Sequence, residues 1–407
     1  MKPKILILGG GYAGVTAAVH LRNARADVTL VNDRNYHYLT TLMHHPAVWH
    51  TDYEEVSVHL PTLLSPEIHF LRGTVETISP QDKRVKLSTR DGQQTLAYDY
   101  LIVALGWEPQ YFDIPGVQQH ALVLQNLKSA YLIHNRIELA MIAYDQEPLP
   151  KWCNIVIGGG GFTGVELAGE IADWRPHLAR TFDLEPEQIC IYLIGAAPTV
   201  LHGFNKSLID RTAALLKQKG VNLITGTPIE RVEDHCVILK NECNQALDAG
   251  VILWAGGVRG HRLIEQSGFA VNRQGRAEVN EFLQVKDDPS IYVSGDCVLT
   301  FDAQNNPLPP TAQIAVQHGY CVAKNIKRVL KNQAQEPFQS RLLGTFLSLG
   351  RRDALGTIQN RHCFSGWVAR TLKNGIAYRY LWSIGGTRLI GRKLWQRIRG
   401  RKPHWHS

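Results

Sequence analysis

At 407 residues the chain is too long for one ordinary core and suits two or three domains. Its 44% hydrophobic and 20% charged residues are those of a globular protein. Its seven scattered Cys, odd in number and without a CxxC pair, argue against a disulfide-stapled secreted protein and fit a reducing compartment.

Met1-Lys2-Pro3-Lys4 leads straight into a strand-like Ile5-Leu6-Ile7-Leu8, so no export signal is expected. No window offers the ~18–20 uninterrupted apolar residues of a membrane span. Lys4–Leu8 reads as a strand, Gly9–Gly14 as a glycine turn, Val15–Arg25 as a helix and Val28–Val31 as a second strand. Lys83–Thr89 and Thr95–Tyr98 flank Arg90-Asp91-Gly92, a hairpin signal. Pro148-Leu149-Pro150 marks a domain junction. The opening pattern then recurs, with strand Asn154–Ile157, turn Gly158–Gly164, helix Val165–Trp174 and strand Ile189–Ile194. Strand, glycine turn, helix, strand is the unit of a doubly wound sheet, so the predicted class is α/β with two Rossmann-like domains.

Gly9-Gly10-Gly11-Tyr12-Ala13-Gly14 and Gly159-Gly160-Gly161-Phe162-Thr163-Gly164 both satisfy G-x-G-x-x-G. The first glycine permits the turn, the second lets the backbone approach a pyrophosphate, and the third packs helix on strand. Two matches in strand–turn–helix context point to two dinucleotides, where one alone would be weak. The acid that grips an adenosine ribose is replaced by Asn32 after the first turn and by Gly195 after the second. The second dinucleotide is therefore left open between NADH and NADPH.

Further segments resemble the two-dinucleotide-binding flavoproteins: Tyr98–Gly106, Val251–Val258, and Ile291-Tyr292-Val293-Ser294-Gly295-Asp296. Pro310-Thr311-Ala312-Gln313-Ile314-Ala315-Val316-Gln317 is similar to a segment of the type II NADH:quinone oxidoreductases, the non-pumping respiratory dehydrogenases. So are Gly161–Glu166, Trp254–Gly260, Asn35-Tyr36-His37-Tyr38 and Val322–Ile326. The resemblance implies FAD in a first domain (1–120, returning over 286–340) and a nicotinamide dinucleotide in a second (150–285). It places FAD at Gly9, Gly11, Tyr12, Ala13, Gly14, Asn32, Tyr38, Val75, Gly106, Asp296, Ala312, Gln313 and Lys373. It places NAD(P)H at Gly159, Gly161, Phe162, Thr163, Gly164, Glu166, Gly195 and Gly256. The resemblance also implies the reaction, a hydride from nicotinamide to flavin and then two electrons to a quinone.

Glu166 stands in the first turn of the second helix, where the helix dipole favours an acid by ~0.3–1 kcal/mol. The resemblance gives it a further role facing nicotinamide and quinone. Glu170, one turn on, reads as a structural acid. Gln313 and Gln317 share a helix face and border the ring-binding slot by resemblance. His44 and His45 read as surface or packing residues, no His falls at ligand spacing, and no metal is expected. Disulfide reductases of this fold need a Cys pair after the first helix, and residues 26–150 hold no Cys. Sulfide:quinone reductases need cysteines beside the flavin, where Cys153 and Cys297 are not expected to lie.

Residues 341–407 carry 14 Lys/Arg against one acid, Asp353, whereas the rest of the chain carries 30 basic against 35 acidic side chains. As a helix, Arg388–Arg399 puts Ile390, Leu394, Trp395 and Ile398 in one sector, with Arg388, Arg392 and Arg399 at its border. Lys393 and Arg397 fall on the other side, and Leu389 breaks the pattern. Trp367, Trp382, Trp395 and Trp405 add to a basic, Trp-rich amphipathic segment suited to an anionic bilayer. A peripheral enzyme on the cytoplasmic side of the membrane is expected, with a homodimer left open. Two rivals remain: a redox protein like apoptosis-inducing factor with a nucleic-acid-binding tail, and a soluble ferredoxin- or dye-type reductase. The Trp residues favour the membrane, since phosphate binding needs none.

Overall fold

The computed structural model describes residues 1–49, 51, 53–358 and 362–399, with side chains through Gln396. The first unit opens with β1 (Lys4–Leu8), α1 (Tyr12–Leu21), β2 (Asp27–Asn32) and a short helix α2 (His44–Val48). There follow β3 (Ile68–Ser79), β4 (Arg84–Thr89), β5 (Gly92–Ala97) and β6 (Tyr100–Val103). Residues 68–72 of β3 run parallel to β2, and its remainder pairs antiparallel with β4, so one strand serves both the doubly wound sheet and the hairpin insert.

The second unit holds β7 (Leu122–Val123), α3 (Leu127–Gln146), β8 (Asn154–Gly158), α4 (Phe162–Thr181), β9 (Cys190–Gly195), α5 (Lys206–Gln218), β10 (Val221–Thr225) and β11 (Val251–Trp254). Its sheet is parallel throughout, in the order β7-β11-β8-β9-β10. Strands such as Ile155-Val156-Ile157 and Val251-Ile252-Leu253-Trp254 are continuously apolar because both faces of such a sheet are covered.

β12 (Gln284–Val285) and β13 (Asp288–Val293) then rejoin the first sheet, in the order β12-β13-β6-β1-β2-β3-β4-β5. α6 (Ala312–Val329) lies on α1 so closely that a Cβ on Gly319 would sit 2.3 Å from the Ala13 carbonyl oxygen. Both α1 and α4 start inside the expected glycine turns, because Gly11 and Gly161 take the N-cap positions.

The last segment forms an antiparallel sheet, β14 (Gly344–Ser348), β15 (Ala354–Ile358) and β16 (His362–Ser365), followed by α7 (Gly366–Arg399). Gly386, at φ 61° and ψ −159°, breaks α7 in two. Leu347, Leu349 and Leu355 join the second unit's core, whereas Tyr380, Leu381, Ile384 and Leu389 join the first unit's. The tail therefore clasps both units besides offering a surface.

That clasp corrects the expected register of the terminal helix. Leu389 is buried because it is the docking residue, and Lys393 one turn on is buried with it. The Lys393 ammonium donates to the carbonyl oxygens of Glu54 and Ser57. Leu394 and Trp395 do face outward, as do Trp367, Ile376 and Trp382, while Ile390 is half-buried. Trp405 and the side chains of Arg397, Ile398 and Arg399 lie outside the described residues. No described helix is long and apolar enough to cross a membrane.

Candidate flavin and nicotinamide site

The two glycine turns have nearly the same geometry. Gly9 (φ 107°) and Gly159 (φ 128°) sit where an added Cβ would meet the Ala104 or Ala255 carbonyl oxygen at 2.2 Å. Gly14 and Gly164 each leave 1.9 Å between an added Cβ and the carbonyl oxygen of Gly9 or Gly159, so only glycine closes either turn. Gly11 (φ −79°, ψ −170°) and Gly161 (φ −80°, ψ −172°) differ from these: the backbone there suits any residue, and an added Cβ would meet nothing within 4 Å. A glycine that the protein itself does not require marks the place where something else approaches the backbone. The first-turn N–H groups of α1 and α4, which have no intrahelical partner, belong to Tyr12 and Ala13 and to Phe162 and Thr163. The residues present thus fit two pyrophosphates.

Asn32 ends β2 with its Oδ1 accepting from the Gly10 N–H at 2.8 Å, which fastens the first turn. Gly195 ends β9 with no atom nearer an added Cβ than 3.6 Å, so a side chain there is sterically free. Tyr38 lies half-buried with the Arg34 guanidinium 5.5 Å from its ring centre. Val75, on β3, packs at the edge of the insert's core.

The Asp296 segment is tied to Gly106 through Cys297. The Gly106 N–H donates to its sulfur at 3.0 Å, and the thiol donates back to the Gly106 carbonyl at 3.2 Å. Burial pushes this thiol up to about 12, so it is packed core and no nucleophile. Burial also lifts the Asp296 carboxyl to about 6, partly offset by the Arg276 guanidinium. His318 of α6, held neutral by burial, accepts from the Gly295 N–H at 3.2 Å. Ala312 opens α6, and Gly256 lies under the Trp254 ring.

α7 reaches the same turn from outside. His37 Nδ1 lies 3.0 Å from the Gly10 carbonyl oxygen, which can only accept, so Nδ1 carries the proton and Nε2 accepts from the Tyr380 hydroxyl at 3.0 Å. Burial keeps His37 neutral by lowering it to about 4.

Glu166 and Lys373 meet where α4 faces α7. Lys373 Nζ is 2.5 Å from Glu166 Oε1 and 2.7 Å from Ser348 Oγ, and the Ser348 N–H donates to the same carboxylate oxygen at 3.0 Å. Lys373, expected by resemblance near the flavin, is thus held by the acid assigned to the nicotinamide. Gln317 and Gln313 are engaged too: Gln317 Oε1 accepts from the Arg341 N–H at 2.8 Å, its Nε2 donates to the Arg341 carbonyl, and Gln313 Oε1 accepts from the Leu343 N–H at 3.4 Å. In this form the pair clamps the strap that leads into β14.

Behind Glu166 lies a cluster that reading along the chain misses. His44 is buried, which leaves packing and not surface of the two readings it had, and its Nδ1 lies 3.6 Å from Glu166 Oε2. Its Nε2 lies 3.8 Å from Glu170 Oε1, and His45 Nε2 lies 3.9 Å from the same atom. Trp49 Nε1 donates to Glu170 Oε2 at 2.8 Å. Burial raises the Glu170 carboxyl to about 7 and holds both imidazoles well below their usual range. The one signal available was that Glu166 and Glu170 share a face of α4. Nothing local brings α2 to that face.

Residues 3–319 match the family model of the pyridine nucleotide-disulphide oxidoreductases. The chain is 34% identical over 401 residues to a type II NADH:quinone oxidoreductase of Staphylococcus aureus (strain MSSA476), with 96% of this chain and 98% of that one covered. Among solved structures it is similar to NDH2 from Plasmodium falciparum in complex with NADH, at a TM-score of 0.85 and 21% identity over 98% of this chain and 99% of that one. It is also similar to the sulfide:quinone oxidoreductase of Aquifex aeolicus, at a TM-score of 0.76 and 19% identity over 94% and 91%. Turns, sheets and matches together make the chain a member of the pyridine nucleotide-disulphide oxidoreductase family and, within it, of the type II NADH:quinone oxidoreductases.

Proposed function

We propose that this chain is a peripheral, non-pumping NAD(P)H:quinone oxidoreductase with FAD on the first glycine turn and NADH or NADPH on the second. The observation that carries this reading is the space left open at Gly11 and Gly161 alone among the turn glycines of G-x-G-x-x-G. FAD, when bound, accepts a hydride from the nicotinamide and returns two electrons to the quinone. The chain's own part is to hold, orient and manage protons. Asn32 and the half-buried Asp296 offer hydrogen bonds to the flavin nucleotide's hydroxyls, and Gly195 presents no charge for or against a 2′-phosphate. A quinone that takes two electrons also takes two protons, and the Glu166–Lys373 ion pair sets a carboxylate and an ammonium where the second turn faces α7. Trp367, Trp382, Leu394 and Trp395 face outward with Arg370, Arg379 and Arg388, a surface suited to the cytoplasmic leaflet of an anionic membrane.

The rival readings have less support. A nucleic-acid-binding tail leaves the outward Trp residues unexplained, and a soluble reductase leaves the whole surface so. Steady-state oxidation of NADH and of NADPH, with and without a short-chain quinone, tests the proposal. Quinone-dependent turnover is expected, and its absence with both donors would overturn it. In proteoliposomes the same turnover should proceed without building a proton gradient.

A further inference from the structure

We propose that His44, His45 and Glu170 form a binding site for a divalent transition metal of the Zn2+ type, placed so that its occupancy restrains Glu166. The three groups offer donor atoms that all lie within 4.8 Å of one another. On a tetrahedral Zn2+ with bonds of ~2.0–2.2 Å, two ligand atoms sit about 3.4 Å apart. The observed 3.8 and 3.9 Å from Glu170 Oε1 to the two Nε2 atoms are close to that spacing, and the imidazole nitrogens of His44 and His45, within 4.8 Å of each other, complete the set by moving inward.

The second observation is that His44 Nε2 and Glu170 Oε1 are buried without a hydrogen-bond partner, on residues exposed by only 2% and 1%. Buried polar atoms facing one another without partners are costly, and a cation between them satisfies both at once. The outer contacts of a metal site are also present. Glu170's other oxygen is held by the Trp49 N–H, and His44 turns its second nitrogen towards the Glu166 carboxylate. His45 is half-exposed, which provides the entry path and room for a water as fourth ligand. The nearby Lys373 and Arg370 oppose a dication, so the site is a reversible one and not a permanent structural zinc.

Metal on His44 Nε2 obliges the Nδ1 nitrogen to keep its proton and donate it towards Glu166 Oε2. The carboxylate is then held between His44 and Lys373, and its freedom to reorient falls. This coupling rests on the role proposed above for Glu166, whereas the site itself does not.

Equilibrium dialysis of the FAD-loaded, chelator-treated enzyme against Zn2+, with Mg2+ as control, separates the two. One Zn2+ per chain is expected, bound at least tenfold more weakly by His45→Gln and by Glu170→Gln. Quinone-dependent NADH oxidation should fall with added Zn2+ in the parent enzyme and not in His45→Gln, whose metal-free turnover stays at the parent's level. No Zn2+ binding, or equal binding by parent and His45→Gln, would overturn the site. Binding with turnover unaffected would overturn the coupling to Glu166 alone.

Discussion

Gly11→Ala separates cofactor binding from folding. Its φ of −79° and ψ of −170° suit alanine, and the added methyl meets no protein atom within 4 Å. The apoprotein should therefore fold as before and gain ~0.4–1 kcal/mol from a less flexible unfolded chain. The methyl would occupy the approach of the pyrophosphate. Losing one or two charge-assisted hydrogen bonds at ~1.5–3 kcal/mol each weakens FAD by about 3 kcal/mol, or roughly a hundredfold. Gly14→Ala, whose Cβ would stand 1.9 Å from the Gly9 carbonyl oxygen, should instead damage the fold itself. Flavin absorbance of the purified variants gives occupancy, and thermal unfolding of the flavin-free proteins gives stability. A Gly11→Ala protein that keeps parental FAD affinity would refute the reasoning. So would one whose apoprotein loses as much stability as Gly14→Ala.

Gly195→Asp has steric room and adds the missing ribose acceptor, so NADPH use should fall at least tenfold relative to NADH in kcat/KM; an unchanged ratio would place the ribose elsewhere. Tyr380→Phe leaves the buried His37 Nε2 without its donor, at about 1–3 kcal/mol, and loosens the first turn; lower thermal stability with faster flavin loss is expected. Burial lowers Lys393 from its ordinary value of 10.5 to about 8, so folding releases its proton only at pH values between these two. Its contribution to stability should rise between pH 8 and the ordinary lysine range near 10.5, by up to ~3 kcal/mol, and be lost as pH falls through 8. Denaturant unfolding of the parent minus Lys393→Met across that window should show the slope, and a flat difference would rule it out. Trp382→Ser with Trp395→Ser should weaken binding to anionic liposomes while flavin content holds, and undiminished binding would move the membrane surface away from α7.

The turns were legible because each glycine's need is local: closure, approach and packing are met within six residues. The sheets followed from the same logic, strand by strand. What escaped depends on contacts between distant segments. Leu389 looked like a flaw in an amphipathic stripe until its packing on the first unit's core made it the anchor. Lys393 falls on the side of the helix away from the apolar sector, yet three backbone carbonyls at the end of a short helix receive its ammonium. Glu166 could be singled out by its place just after the second glycine turn, although the helix starts at Phe162 and so puts it beyond the first helical turn expected for it; its partners Lys373, Ser348 and His44 come from three other elements. The His44–His45–Glu170 cluster has no spacing to find, since its ligands meet only when α2 docks on α4. Tail truncation, a natural test of the membrane surface from sequence, is a poor one in the structure. Removing α7 would open the first unit's core and release the Gly10–His37–Tyr380 chain, so point substitutions on the outward face are the sound choice.

The central claim is that electrons pass from a nicotinamide dinucleotide through the bound flavin to a quinone. Anaerobic mixing of the FAD-loaded protein with NADH or NADPH should bleach the flavin absorbance, and a following pulse of quinone should restore it within the turnover time. A flavin that stays oxidised with both donors, or that stays bleached after the quinone pulse, would contradict the account.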